Sequence, residues 1–175
     1  VRMMQAEARM MATEGAPQRA VDLLREAHKF AETYAELKAS TLAIELTTSI
    51  AMHLAMFNPE SAHAQYERAV EAASEGLGRR HFLTGIVAAN TSRHAFEKMG
   101  VVAIGEHWGN IGIYALTAAF GPGQRPAMQL EYDLARNLLL AGESDRATNY
   151  ADLALAELVA PSLLLSVTYQ ICPAF

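Results

Sequence analysis

Apolar residues along this chain recur every three or four positions, with Ala and Leu filling most of them. That is the period of amphipathic helices, and no segment alternates as a half-buried strand would. The six prolines, Pro17, Pro59, Pro122, Pro126, Pro161 and Pro173, stand where helices would start or stop. Asn58-Pro59-Glu60 supplies an N-cap, a proline in the first turn and an early acid, while Gly76, Gly100 and Gly142 follow periodic stretches as stops. The punctuation predicts helices near residues 2–13, 17–32, 35–57, 59–75, 80–99, 101–119, 125–141, 144–158 and 162–171.

These helices repeat in pairs. The second helix of a pair carries a small residue, a larger one four positions on and a small one three later: Ala20-Leu24-Ala27, Ala62-Tyr66-Ala69 and Ala147-Ala151-Ala154. Between the last two, Ala103-His107-Asn110 falls in frame but fits poorly, and the four anchors are then spaced by 42, 41 and 44 residues. Gly15 and Gly142 each stand five residues before an anchor. A single hairpin of this kind cannot bury its own apolar face, so neighbouring hairpins must stack.

The pattern resembles the tetratricopeptide repeat (TPR) family, most clearly over Leu134 to Ala147. Its period exceeds the usual length of about 34 residues, and in this it is similar to the repeats of large bacterial signal-transduction regulators of the MalT and LuxR type. The first helices lack the family's tryptophan and its glycine at the helix crossing, and the third repeat looks degenerate. The resemblance implies an all-α fold of antiparallel hairpins stacked as a right-handed α-solenoid. One domain over 1–175 is expected, with repeats near 1–33, 34–76, 77–120 and 121–160 and a terminal helix at 161–175. First helices would line the concave face and second helices the outside. The apolar run Leu163-Leu164-Leu165 resembles the first helix of a fifth repeat. Together with a start at Val1 and an end at Phe175, it leads us to expect a fragment of a longer chain.

Composition narrows the classes of function. The chain has 175 residues, 51% of them hydrophobic and 19% charged, which is too apolar for intrinsic disorder and too interrupted by charge for a membrane protein. Its longest apolar runs, near Leu138 to Ala141 and Leu163 to Val167, fall far short of the roughly 20 residues of a membrane span. A net charge of −5 and a lone Arg79-Arg80 pair disfavour direct nucleic-acid binding. Cys172 is the sole cysteine, which excludes an internal disulfide and points to the cytoplasm.

Candidate chemistry is sparse. His53 and His94 stand at equivalent points of successive first helices, yet no further ligand motif accompanies them, so they read as packing residues and no metal is expected. His107 receives the same reading. Gly105, Gly109 and Gly112 surround Trp108 in one helix, at about 1 kcal/mol each relative to alanine. Close helix approach would offset that cost, and the other reading is a groove admitting a ligand beside Trp108 and Tyr114. No phosphate loop, nucleophile elbow or local carboxylate pair is present, since Glu131 and Asp133 are only two positions apart on a helix. Neither catalytic residues nor a cofactor are expected.

The leading expectation is therefore a non-enzymatic interaction or sensor module that binds a protein or peptide partner, or a small effector, on its concave face. Asn90, His94, Tyr132, Arg136 and Asn137 on first helices are the expected contacts. The resemblance implies a bacterial transcriptional or signalling regulator. An alternative is a small all-helical enzyme or ligand carrier with a pocket around Trp108, holding Glu106, His107 and Tyr114 together. A third is a piece that forms homo-oligomers through its terminal helix.

Overall fold

The computed structural model describes residues 1–34 and 40–156. Among them the protein is all α, without a strand, and none of its helices is long and apolar enough to cross a membrane. The elements are α1 (Arg2–Thr13), α2 (Pro17–Thr33), α3 (Thr41–Leu54), α4 (Pro59–Gly76), α5 (Phe82–His94), α6 (Val102–Phe120), α7 (Arg125–Leu140) and α8, helical over 144–156. A π-helical turn, Ala95–Met99, extends α5.

The ends follow local chemistry. Pro17 and Pro59 open α2 and α4, where a missing N–H costs nothing, and the Asn58 side chain accepts from Ser61 N at 3.0 Å. Helix α3 is shorter than the expected 35–57, because Ser40 caps it at Thr41 and the chain turns after Leu54 towards the Asn58 cap. The expected start at residue 35 and the expected terminal helix at 161–175 lie outside the described residues.

Each helix packs mainly on its neighbours in sequence, as in a solenoid. The core is accordingly a row of clusters. One joins Ala8, Val21 and Leu24 to Leu46, Ile50 and Leu54; the next joins Ile44, Val70 and Ala73 to Val87 and Ala88; a third joins Leu116 to Ala127 and Leu130. The fold is an α-solenoid of antiparallel hairpins.

In the third repeat the structure corrects the expected frame. Ala103, His107 and Asn110 are exposed, so His107 is not a packing residue. The buried positions are Gly105, Gly109 and Gly112. Anchored at Gly105, the second helices are spaced by 42, 43 and 42 residues, from Ala20 to Ala62 to Gly105 to Ala147. Gly100 then stands five residues before its anchor, as Gly15 and Gly142 do, and these three turn glycines share left-handed φ values of 68°, 83° and 84°.

Close approach explains the helix glycines. A Cβ on Gly105 would lie 2.5 Å from the Phe96 ring, one on Gly109 2.5 Å from Leu134 Cδ2, and one on Gly112 2.6 Å from Leu130 Cδ2. The face of α6 is bare so that α7 and the π-turn can fill it. Ser92 Oγ adds a buried hydrogen bond of 2.6 Å to the Gly105 carbonyl.

Candidate functional site

The stack presents two kinds of surface, and the expected contacts lie on the first helices, α5 and α7. His94 is only 5% exposed. Its Nε2–H donates to the Pro59 carbonyl at 2.9 Å, and its ring lies 5.2 Å from that of Tyr66 and 6.0 Å from that of His63. It therefore ties α5 to the start of α4, beneath the surface. Burial pushes the His94 pKa down, opposed by the bond to Pro59 and reinforced by His63 and Lys98. Burial likewise pushes the Tyr66 phenol up to about 12, against the pull of Arg93.

Tyr132, at 59% exposure, and Arg136 stand one turn apart on the open side of α7. Half-buried Asn137 lies in a small crevice of about 10 Å³ with Arg93 and Asp133, whose side chains pair at 3.7 Å. Asn90 is half-buried one turn before His94. The crevice between the two first helices is narrow. Glu131 turns inward. His53 bonds to the Ser49 carbonyl of its own helix at 2.8 Å, apart from the His94 cluster. Among the described residues, no group of three or more His, Cys, Asp and Glu is placed to hold a metal ion.

Second helices behave differently. An open groove of about 920 Å³ separates α4 from α6. One wall is Glu67, Glu71 and Glu75 with Ser74; the other is His107, Trp108, Asn110, Ile111 and Tyr114; Val70 lies between and Arg79 stands beyond the end of α4. A second groove of about 670 Å³ lies between α2 and α4, with Arg25, Lys29 and Arg68 on its walls and Ile44 and Ile50 in its floor. Between α6 and α8 the equivalent space is clasped shut. Glu106 accepts from Arg146 and from the Tyr150 hydroxyl, which also reaches Asn110 Oδ1 at 2.8 Å.

The clasp bears on the pocket expected around Trp108. Glu106 is drawn towards α8, while His107 and Tyr114 face the groove. The three do not converge, and the space beside Trp108 is open to solvent rather than enclosed. Trp108 itself rests against the Val70 and Ala73 cluster, leaving the rest of its ring on the groove.

Sequence reasoning named Trp108, Tyr114 and His107 on one wall of this groove but missed the other wall, Glu67, Glu71 and Glu75. Their signal lies in the corrected frame: Asn110 and Tyr114 are 43 residues beyond Glu67 and Glu71, so the two walls are equivalent faces of successive second helices.

No protein-family model matches the sequence, and no curated protein matches it significantly. Solved structures do match the fold. BtubC (BKLC) from P. vanneervenii superposes with a TM-score of 0.73 at 17% identity, covering 91% of this chain and 63% of that one. The chain therefore spans less than two thirds of BtubC. A putative kinesin light chain from Podosopora anserina, with nearly identical TPR-like repeats, matches with a TM-score of 0.73 at 19% identity, covering 91% of this chain and 75% of that one. A variant of the same protein gives 0.73 at 18%, covering 93% and 76%. At these identities the likeness is one of fold, and the fold of this chain is a TPR-like α-solenoid.

Proposed function

We propose that the chain is a non-enzymatic interaction module that binds a partner protein. The observation that carries this reading is the stack itself. It exposes long faces and open grooves, and its polar groups are spread along them instead of converging in an enclosed site. The TPR-like neighbours support the same reading.

On the first-helix face the contacts would be Asn90, Tyr132, Arg136 and Asn137, with His94 holding α5 against α4 from below. Tyr132 and Arg136 are of the types that dominate binding energy at interfaces. In the finer reading, the module forms one domain of a longer cytoplasmic bacterial regulator of signalling or transcription, where a partner or a small effector changes its state. The repeat period of about 42 residues, longer than the usual 34 or so, supports that placement.

The test begins with cross-linking and affinity capture by the purified chain. Tyr132→Ala/Arg136→Ala protein should lose the captured partner while keeping its helical circular dichroism and melting temperature. Unchanged capture would remove the first-helix face from the proposal. A saturable rise in melting temperature with one class of sugar, amino acid or nucleotide would favour the effector reading.

A further inference from the structure

The groove between α4 and α6 is asymmetric in charge and in chemistry. Glu67, Glu71 and Glu75 sit on successive turns of α4, about 6 Å apart at the helical rise. The facing wall is the partly exposed Trp108 with Ile111 and Tyr114. Glu67 has His63 Nε2 at 3.4 Å, but among the described residues no cation lies within ion-pair distance of Glu71 or Glu75. The neighbouring groove between α2 and α4 carries the opposite balance of charge, with Arg25, Lys29 and Arg68 against the single acid Glu32. The acidic lining is therefore particular to this one.

We infer that this groove receives an extended basic segment of a partner protein, with Arg or Lys side chains set between the glutamates of α4 and the Trp108 and Tyr114 rings. The inference rests on the interaction-module reading but places the contact on the second helices. An extended peptide directs side chains to one face every second residue, about 6.6 Å apart, which matches the spacing of the glutamates. Arg-x-Arg-x-Arg is thus the natural register. Guanidinium groups suit both walls, since they pair with carboxylates through two parallel hydrogen bonds and stack on aromatic faces.

Trp108 is the only tryptophan in the chain, so its fluorescence reports on this groove directly. Titrating the full chain with acetylated, amidated Gly-Arg-Ser-Arg-Ser-Arg-Gly should give a saturable change in emission. The same peptide with Glu in place of Arg should give none. Glu71→Gln/Glu75→Gln protein, shown to be folded by circular dichroism, should bind the Arg peptide at least tenfold more weakly, and Tyr114→Ala provides an independent variant on the other wall. An unsaturable signal, or equal affinity in both variants, would overturn the inference. Equal affinity for spermidine would also overturn it, in favour of a small polycation. If the peptide fails while capture still depends on Tyr132 and Arg136, the groove inference falls and the interaction module stands.

Discussion

The first and third repeats solve the same packing problem in opposite ways. In α2 the sequence Ala20-Leu24-Ala27 puts a large side chain between two small ones, and Leu24 fills the space against Leu46, Ile50 and Leu54 of α3. In α6 the corresponding residues are Gly105, Gly109 and Gly112, and the volume comes from outside, from Phe96, Leu134 and Leu130. What the solenoid conserves is filled space at the seam; which helix supplies the atoms is free to change. The difference also alters how the two seams fail. The first fails when a side chain is removed, and the third fails when one is added.

The largest effect should come from emptying the first seam. Leu24→Ala removes a fully buried side chain and should cost about 2–5 kcal/mol, read from the urea midpoint. Filling the third seam should cost less. At an exposed helical site Gly→Ala stabilises by about 1 kcal/mol. Gly109→Ala should instead destabilise by about 1–2 kcal/mol net, because the new methyl group meets the branched end of Leu134, which is 1% exposed. Combining Gly109→Ala with Leu134→Ala should cost clearly less than the sum of the two singles. Additive costs would mean that Leu134 does not occupy the glycine face.

A smaller effect distinguishes the second repeat boundary, where His94 replaces apolar filling. Its pKa is lowered on folding, chiefly by burial, so the native state holds it neutral while the unfolded chain takes up a proton below about pH 6.5. Its contribution is fully present above that pH and is lost as pH falls towards the folded value. The slope cannot exceed about 1.4 kcal/mol per pH unit for one proton. Urea midpoints at pH 7.5 and 5.5 should differ less in His94→Gln than in the parent chain, with His63 on α4 and Lys98 on its own side, the charged groups that act on His94, left in place in both proteins. The smallest effect should come from the clasp between α6 and α8. Arg146→Ala should cost below about 1 kcal/mol, because the pair with Glu106 is partly solvated and Tyr150 still holds the carboxylate, and added salt should shrink the difference further.

Much of the architecture was legible in the sequence because its signals are local. Pro17, Pro59 and Asn58 mark helix starts by hydrogen-bond chemistry that needs only a few neighbouring residues, and α2 and α4 begin where those signals place them. The third repeat was misread for an equally physical reason. Glycine has poor intrinsic helix propensity, so Gly105, Gly109 and Gly112 looked like a local anomaly. Ala103 meanwhile supplied the small residue that the pattern sought. Only the approach of Leu134 and Leu130 shows that glycine is here the small residue at all three anchor positions.

The candidate surfaces divide along the same line. Tyr132 and Arg136 could be picked out as polar residues on a first helix, and His94 as a ring at a packing position. Of the groove between α4 and α6 only the Trp108 and Tyr114 side could, since Glu71 faces Tyr114 only by virtue of the 43-residue offset between two helices.

The starts of α2 and α4, the pairing of helices and the period near 42 residues were settled by the sequence alone, because caps, propensity and the 3.6-residue period act within one helix or its turn. The buried face of α6, the open groove between α4 and α6 and the closed one between α6 and α8 were decided by the tertiary structure. Each depends on atoms brought together from separate repeats, where complementary volume and the distance between helices choose the contact and local propensity has no say.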